Sequence, residues 1–371
     1  MKTTIISPSN SLWKETLQRV AHDIYHLPEY IILESQRNQT IPEAVIIEDG
    51  ERIFFVPYLL RKCDDIVAVG TFIEEGFDVI SPYGYPGILL NDAARSTSGF
   101  PDRAMDEFIQ VLAAKKVCSA FFRLHPILNH DFQTLFLSHS FTENGETVSI
   151  DLTISEAEMW THTRKGHRST INKCKRLGFV PKIVPFLEYV DEFTEIYQET
   201  MRRVSASESY YSFNTSYFLE MHDALRDCLH LCIVEFENEV ACAGLYTECC
   251  QIVQSTLGGT KDKFVMLSPS SLETDYARCW AKARNNQFLH LGGGVGGSKD
   301  SVYNFKAGFA KARHTFLTQR LILNEEKYRY LVELRAKFLN VPVSNLLQSS
   351  FFPAYRLDSK GQTDIEKSQY C

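Results

Sequence analysis

The sequence predicts a mixed α/β (α+β) protein of two domains, and three observations carry that expectation. The chain has 371 residues, beyond the size at which a single hydrophobic core stops growing. Helix-like and strand-like hydrophobic periodicities alternate along it. It also shows no internal repeat of about 20 to 50 residues and no low-complexity linker, so both halves have to fold. A hydrophobic content of 44% and a charged content of 23% are those of an ordinary globular protein.

The first half opens with Leu12, Leu17, Val20 and Ile24 at near-helical spacing over Ser11 to Tyr25. Short β-like runs follow at Ala44 to Ile47, Ile53 to Val56 and Ile66 to Val69, with Glu48-Asp49-Gly50-Glu51 reading as a hairpin turn between the first two. A helix begins after Pro101 with Met105, Phe108, Ile109 and Leu112 on one face, and leads into a strand at Ala120 to Leu124. This domain is expected to cover residues 1–146.

The second domain is expected over 147–325, with a C-terminal helix and tail over 326–371. It starts with a strand at Val148 to Leu152, and Ser155-Glu156-Ala157-Glu158 has the form of a capping box. A basic helix runs from Arg164 to Arg176 and stops at Gly178. Phe193, Ile196, Tyr197, Thr200, Met201 and Val204 then give an amphipathic helix. Three β runs, Leu231 to Phe236, Val240 to Tyr246 and Ile252 to Leu257, precede a helix over Pro269 to Ala283 and a strand at Phe288 to Leu291.

Several classes are excluded by composition. No run approaches the roughly 18 apolar residues that span a bilayer, and polar Ser9, Asn10 and Ser11 interrupt the start of the chain, so neither a transmembrane segment nor a signal peptide is expected and the protein is placed in the cytoplasm. The ten cysteines sit in apolar runs such as Leu231-Cys232-Ile233-Val234 and read as buried thiols. His222, Cys228, His230 and Cys232 match no zinc spacing, so no metal is expected. A net charge of -7 argues against a stable nucleic-acid complex.

Four stretches carry a closer likeness. They are Ser81-Pro82-Tyr83-Gly84-Tyr85-Pro86-Gly87 with Phe121 to Asn129; Arg164 to Gly178; Tyr197 to Arg203 with Tyr210-Tyr211-Ser212-Phe213; and Leu289-His290-Leu291-Gly292-Gly293-Gly294 with Asp300 and Phe305-Lys306-Ala307-Gly308-Phe309. In this order they resemble the Fem-type transferases of the GNAT superfamily. The resemblance implies two tandem GNAT-like domains, each a mixed, mainly antiparallel sheet flanked by helices. It also implies transfer of an acyl or aminoacyl group to an amine of a cell-envelope, saccharide or peptide precursor such as one of peptidoglycan. No tightly bound cofactor is implied; acyl-CoA or aminoacyl-tRNA is the donor, and the acceptor is a small or lipid-linked phosphate-bearing molecule.

The residues themselves point to anion binding. On a wheel of about 100° per residue, Arg164, Lys165, Arg168, Asn172, Lys175 and Arg176 fall on one side of their helix, with Ile171, Cys174 and Leu177 opposite. No acidic residue lies between Glu158 and Glu188, so Arg164, Arg168 and Lys175 form a candidate phosphate site without local partners. Gly293 and Gly294 offer backbone approach to an anion, and Ser270 and Ser271 open a helix whose amides point the same way. Residues 260–271 lack the glycine-rich pyrophosphate loop of conventional GNAT proteins, which leaves both donors open. By the resemblance Lys306 lies near the reacting centre, where a cation stabilises a tetrahedral oxyanion, and Tyr83 and Tyr85 line the substrate. Asp300 and Tyr211 are candidate catalytic groups beside Tyr210 and Glu208, since attack by an amine requires a proton acceptor. The basic helix and the Phe305 to Phe309 segment are expected to meet. A different class remains beside this one: a non-catalytic module binding a phosphate-bearing glycan or nucleotide sugar, in which Lys306 is dispensable.

Overall fold

The computed structural model describes residues 1–64, 66, 76–206 and 213–357. In chain order the elements are β1 (Lys2–Ile6), α1 (Ser11–Leu17), α2 (Pro28–Asn38), β2 (Ile41–Asp49), β3 (Arg52–Lys62), β4 (Phe77–Ile80), β5 (Leu89–Leu90), α3 (Asp92–Arg95), α4 (Phe100–Ala114), β6 (Val117–Arg123) and α5 (Phe132–Leu135). Then come β7 (Thr142–Asp151), α6 (Glu156–His162), α7 (Lys165–Leu177), β8 (Val180–Val184), α8 (Phe186–Arg203), α9 (Thr215–Leu225), β9 (Leu229–Phe236), β10 (Glu239–Cys249) and β11 (Ile252–Thr260). The chain closes with α10 (Ser270–Ala283), β12 (Phe288–Gly292), α11 (Ser301–Ala307), β13 (Arg313–Ile322), α12 (Glu325–Leu339) and α13 (Val343–Leu347). The expected strand at Ile66 to Val69 lies outside the described residues except for Ile66.

Contacts divide the chain into two units, Met1–Gly145 with the segment from Thr315 onward, and Glu146–His314. The expected boundaries differ from this division at the C-terminal end. The strand and helices after Thr315 belong with the first unit, because β13 pairs with β6 from Thr318↔Arg123 to Ile322↔Ser119, and α12 packs Tyr328, Leu331 and Val332 with Cys118 and Phe121.

In the first unit the strand order is β1-β2-β3-β4-β6-β13, with β5 on β3. Only β4 and β6 run parallel among its described pairings. The β2–β3 hairpin leaves Gly50 and Glu51 as a two-residue turn between Asp49 and Arg52, and Gly50 takes the left-handed φ of +62° that such a turn requires. β3 is apolar almost throughout because both of its faces are covered. Phe54, Val56 and Tyr58 join α4 residues Met105, Phe108 and Leu112, while Ile53, Phe55 and Leu59 join Trp13, Leu17 and Ile31.

The second unit has the order β7-β12-β11-β10-β9-β8, again with a single parallel pair among those described, β11 with β12. One face packs on α7 and α10 through Ile171, Cys174, Leu272, Ala277 and Ala281 against Val148, Cys232, Cys242, Val253 and Leu289. Away from that cluster α8 lies so close on β11 that a Cβ at Gly259 would stand 2.7 Å from the Ile196 carbonyl oxygen. Helix ends follow the sequence signals: the Ser155 hydroxyl accepts the Glu158 N–H at 3.2 Å, and Gly178 closes α7 at a φ of +92°.

Candidate functional site

The parallel strands β11 and β12 pair over three rungs, Ile252↔Phe288, Val253↔Leu289 and Gln254↔His290, and then part. β11 continues beside β10 to Thr260, whereas β12 follows β7 through a register shift between His290 and Gly292. Side chains on one rung share a face, so Thr247, Gln254, His290 and Ser149 form a row across β10, β11, β12 and β7 at the point of divergence. All four are buried, His290 and Ser149 at 0% exposure.

His290 Nδ1 lies 2.6 Å from Gln254 Oε1, and Ser149 Oγ lies 2.6 Å from His314 Nε2. The two imidazole centroids are 6.5 Å apart. The hydroxyls of Thr247, on this row, and of Thr147, two residues before Ser149 on the same face of β7, are buried without a hydrogen-bond partner among the described residues. Unpartnered buried hydroxyls cost about 1–3 kcal/mol each, so a polar row of this kind is not explained by packing alone. In the sequence His290 lies in one of the stretches of family likeness, but none of these residues is assigned a role there. A polar residue between Leu289 and Leu291, or between Val148 and Ile150, reads as the wet face of a half-buried strand.

Just past His290 the chain enters the Gly292 to Gly297 loop. Lys306 Nζ donates to the Gly293 carbonyl oxygen at 2.7 Å, tying α11 to that loop. Asp300 is the N-cap of α11: one carboxylate oxygen accepts the Tyr303 N–H at 2.8 Å and the other the Val295 N–H at 3.0 Å. Both of its oxygens are thus engaged in capping the helix and bracing the loop. Gly294 is required by the chain itself, since a Cβ there would lie 2.1 Å from the Ser298 carbonyl oxygen and 2.5 Å from Asp300 Oδ1; at Gly293 it would lie 2.9 Å from the Glu146 carbonyl oxygen. The space expected for an anion beside Gly293 and Gly294 is therefore filled by protein on those sides. Glu146 accepts from Tyr303 Oη at 2.7 Å and pairs with Lys299 at 2.8 Å. The Lys299 hydrogen bond holds the Glu146 carboxyl below the usual range, with Tyr303 adding to it.

The two segments expected to meet do so. The Arg164 N–H donates to the Gly308 carbonyl at 2.7 Å, and His167 Nε2–H donates to the Phe305 carbonyl at 2.8 Å, docking the first turn of α7 on the end of α11. The His167 ring packs on Phe305 and Phe309 with centroids 5.2 and 4.6 Å away, and burial pushes its pKa below the usual histidine value, so it is a neutral structural group. The buried face of α7 is His167, Ile171 and Cys174. Leu177, expected on that face, is 46% exposed. Arg164, Arg168 and Lys175 form the stripe flanking it. Lys175 does have a partner, Asp275 at 3.1 Å, which also pairs with Arg278. Among the described residues Arg164 and Arg168 make no ion pair.

At the start of α10 the amides of Ser271, Leu272 and Glu273 already bond the carbonyls of Ser268 and Pro269 at 2.9–3.1 Å, and Ser271 is buried. Of the expected Ser270–Ser271 anion site, the Ser270 end is what the fold leaves. Tyr83 and Tyr85 belong to the first unit. The Tyr83 N–H donates to Glu34 and its carbonyl accepts from Tyr30 Oη, while the Tyr85 ring meets Tyr25 and Phe316 edge-on. Arg123 holds the same loop through the carbonyls of Ser81 and Pro82 at 3.1 and 2.9 Å. Tyr211, Tyr210 and Glu208 lie outside the described residues.

No protein-family model matches the chain, and no curated protein matches it. Among solved structures it is similar to FemX, over 89% of this chain and 99% of that one, with a TM-score of 0.67 at 12% identity. It is also similar to the C-terminal domain of a putative lysylphosphatidylglycerol synthetase from Agrobacterium fabrum, over 82% of this chain and 91% of that one, with a TM-score of 0.51 at 12% identity. A conserved protein of unknown function from Bacteroides thetaiotaomicron aligns over 80% and 88% of the two chains with a TM-score of 0.50 at 8% identity. At these identities the likeness is one of fold. The chain shares the fold of FemX, a mixed α/β fold of two units as expected from the sequence. No helix among the described residues is long and apolar enough to cross a membrane.

Proposed function

We propose that this protein is an N-acyltransferase or aminoacyltransferase, and the observation that carries the reading is the parting of β11 and β12 at Gln254 and His290, with the Lys306-anchored loop directly after it. Parted strands present backbone N–H and C=O groups that a third strand does not satisfy, and an extended acyl donor fits such an edge. The fold shared with FemX supports the reading, as does the name of the lysylphosphatidylglycerol synthetase, which describes an aminoacylated lipid.

In this reading the donor is an acyl thioester or an aminoacyl-tRNA, the acceptor is an amine on a phosphate-bearing cell-envelope precursor, and the reaction takes place in the cytoplasm. Arg164 and Arg168, charged and without ion-pair partners among the described residues, bind the phosphate. Lys306, held to the loop by its bond to the Gly293 carbonyl, stabilises the oxyanion formed as the acyl carbon becomes tetrahedral.

Mass spectrometry of the purified chain incubated in turn with acyl-CoA and aminoacyl-tRNA donors, each with amine acceptors, tests this directly. Acceptor-dependent consumption of one donor class is expected. Binding of a nucleotide sugar without consumption of any donor would instead make the protein a binding module.

A further inference from the structure

The geometry points to the polar row at the strand divergence as the proton-accepting site for a primary amine, with His290 as its base. The assignment rests on the acyl-transfer reading and deepens it by naming the group that readies the nucleophile.

Three observations converge on His290. It occupies the last rung shared by β11 and β12, so it stands where the strands open. It is 0% exposed and flanked on its rung by polar Gln254 and Ser149, not by aliphatic residues. Finally, Gln254 Oε1 at 2.6 Å from Nδ1 can only accept, so the proton sits on Nδ1 and the lone pair on Nε2. An amide oxygen in this place fixes the ring and its tautomer as a carboxylate would, without supplying a charge that would hold the imidazole protonated. Ser149 and His314, joined at 2.6 Å, continue the polar path toward half-exposed His314, and the unpartnered hydroxyls of Thr147 and Thr247 line the same face.

The step balances without any redox partner. The ammonium form of the amine first gives a proton to His290 Nε2, and the freed nitrogen then attacks the acyl carbon of the ester or thioester donor. The tetrahedral intermediate collapses, the C–O or C–S bond breaks, the proton held on His290 passes to the departing oxygen or sulfur, and the proton lost from the new amide nitrogen is released to solvent. The products are the amide and the free alcohol or thiol.

Two measurements test the site. The ¹⁵N shifts of the histidine rings in the wild-type protein should show His290 neutral and protonated on Nδ1; protonation on Nε2 would overturn the assignment whatever the protein transfers. In the transfer assay His290→Asn keeps an N–H for Gln254 but removes the base. It should slow transfer to an alkyl amine about a hundred- to ten-thousandfold, with donor affinity and melting temperature held. Transfer to hydroxylamine, whose nitrogen is unprotonated at neutral pH, should fall far less. An equal loss with both acceptors makes His290 structural and refutes the base. If the variant does not fold, the same comparison is made with His290→Gln. A wild-type chain that moves no acyl group defeats the acyl-transfer reading and the base with it, while the ring shifts still report the tautomer.

Discussion

Glu273 stands in the first turn of α10, 6% exposed, beneath Gly244 of β10. One carboxylate oxygen, Oε1, has no hydrogen-bond partner among the described residues, and a Cβ on Gly244 would lie 2.3 Å from it. Burial raises the Glu273 pKa from 4.5 to about 7, against the opposing pull of hydrogen bonds from Tyr246, Cys232 and Thr274. The consequence for stability has a definite sign. Below pH 4.5 the carboxyl is protonated in both folded and unfolded chains and costs nothing. Between 4.5 and about 7 the unfolded chain has released the proton and the folded chain has not, so folding is disfavoured progressively as pH rises. Above about 7 the penalty is complete. At 1.36 kcal/mol per pH unit the interval is worth about 3 kcal/mol. Glu273→Gln, which keeps shape and a hydrogen-bonding head, should therefore match the wild type near pH 4.5 and gain about 3 kcal/mol by pH 8. For a unit of this size that is roughly 6–12 °C in melting temperature. Thermal unfolding followed by circular dichroism from pH 4.5 to 8.5 measures it. A difference between the two proteins that is flat with pH would refute the reasoning, because it would mean that the buried carboxyl titrates as it does in water.

Further outcomes follow from the site. Lys306→Met should lower kcat about a hundredfold with little change in KM, and steady-state kinetics with the identified donor reads it; a folded variant at the wild-type rate removes Lys306 from the chemistry. Arg164→Ala with Arg168→Ala should weaken binding of a phosphate-bearing acceptor and flatten the fall of affinity with salt seen in the wild type, as calorimetric titration at two ionic strengths will show. Asp300→Ala deletes the α11 cap and the bond to Val295, which should cost about 1–2 kcal/mol by denaturant unfolding; Asp300→Asn should recover most of it. Gly308→Ala would place its Cβ 2.4 Å from His167 Nε2 and should loosen α7 from α11, detected as faster amide exchange in the first turn of α7.

Much of the fold was legible because its signals are local. Gly178 ends α7, Ser155 starts α6, and the turn at Gly50 fixes the β2–β3 register, each within four residues of the feature it controls. The basic character of α7 was legible for the same reason, but the pairing of Lys175 was not, since Asp275 stands 100 residues away in sequence. The short edge strand β8, with two exposed or half-exposed residues around Pro181, carries too little apolar alternation to announce itself. The polar row was missed on physical grounds. Strand periodicity reports which residues share a face, and whether that face meets water or protein is decided by what covers it. His290, Gln254 and Ser149 obey the alternation of a wetted strand and are nonetheless buried.

The return of β13 to β6 has a consequence for how the chain comes to be folded. The second unit is one uninterrupted stretch, whereas the first is closed only when the residues after Thr315 arrive. During synthesis from the N-terminus, the later-encoded unit is complete while the earlier one still lacks a strand, and Val117–Arg123 waits with an open edge for nearly two hundred residues. An open edge is a template for unwanted pairing. The order in which the ribosome delivers these two units is thus the reverse of the order in which they can be finished.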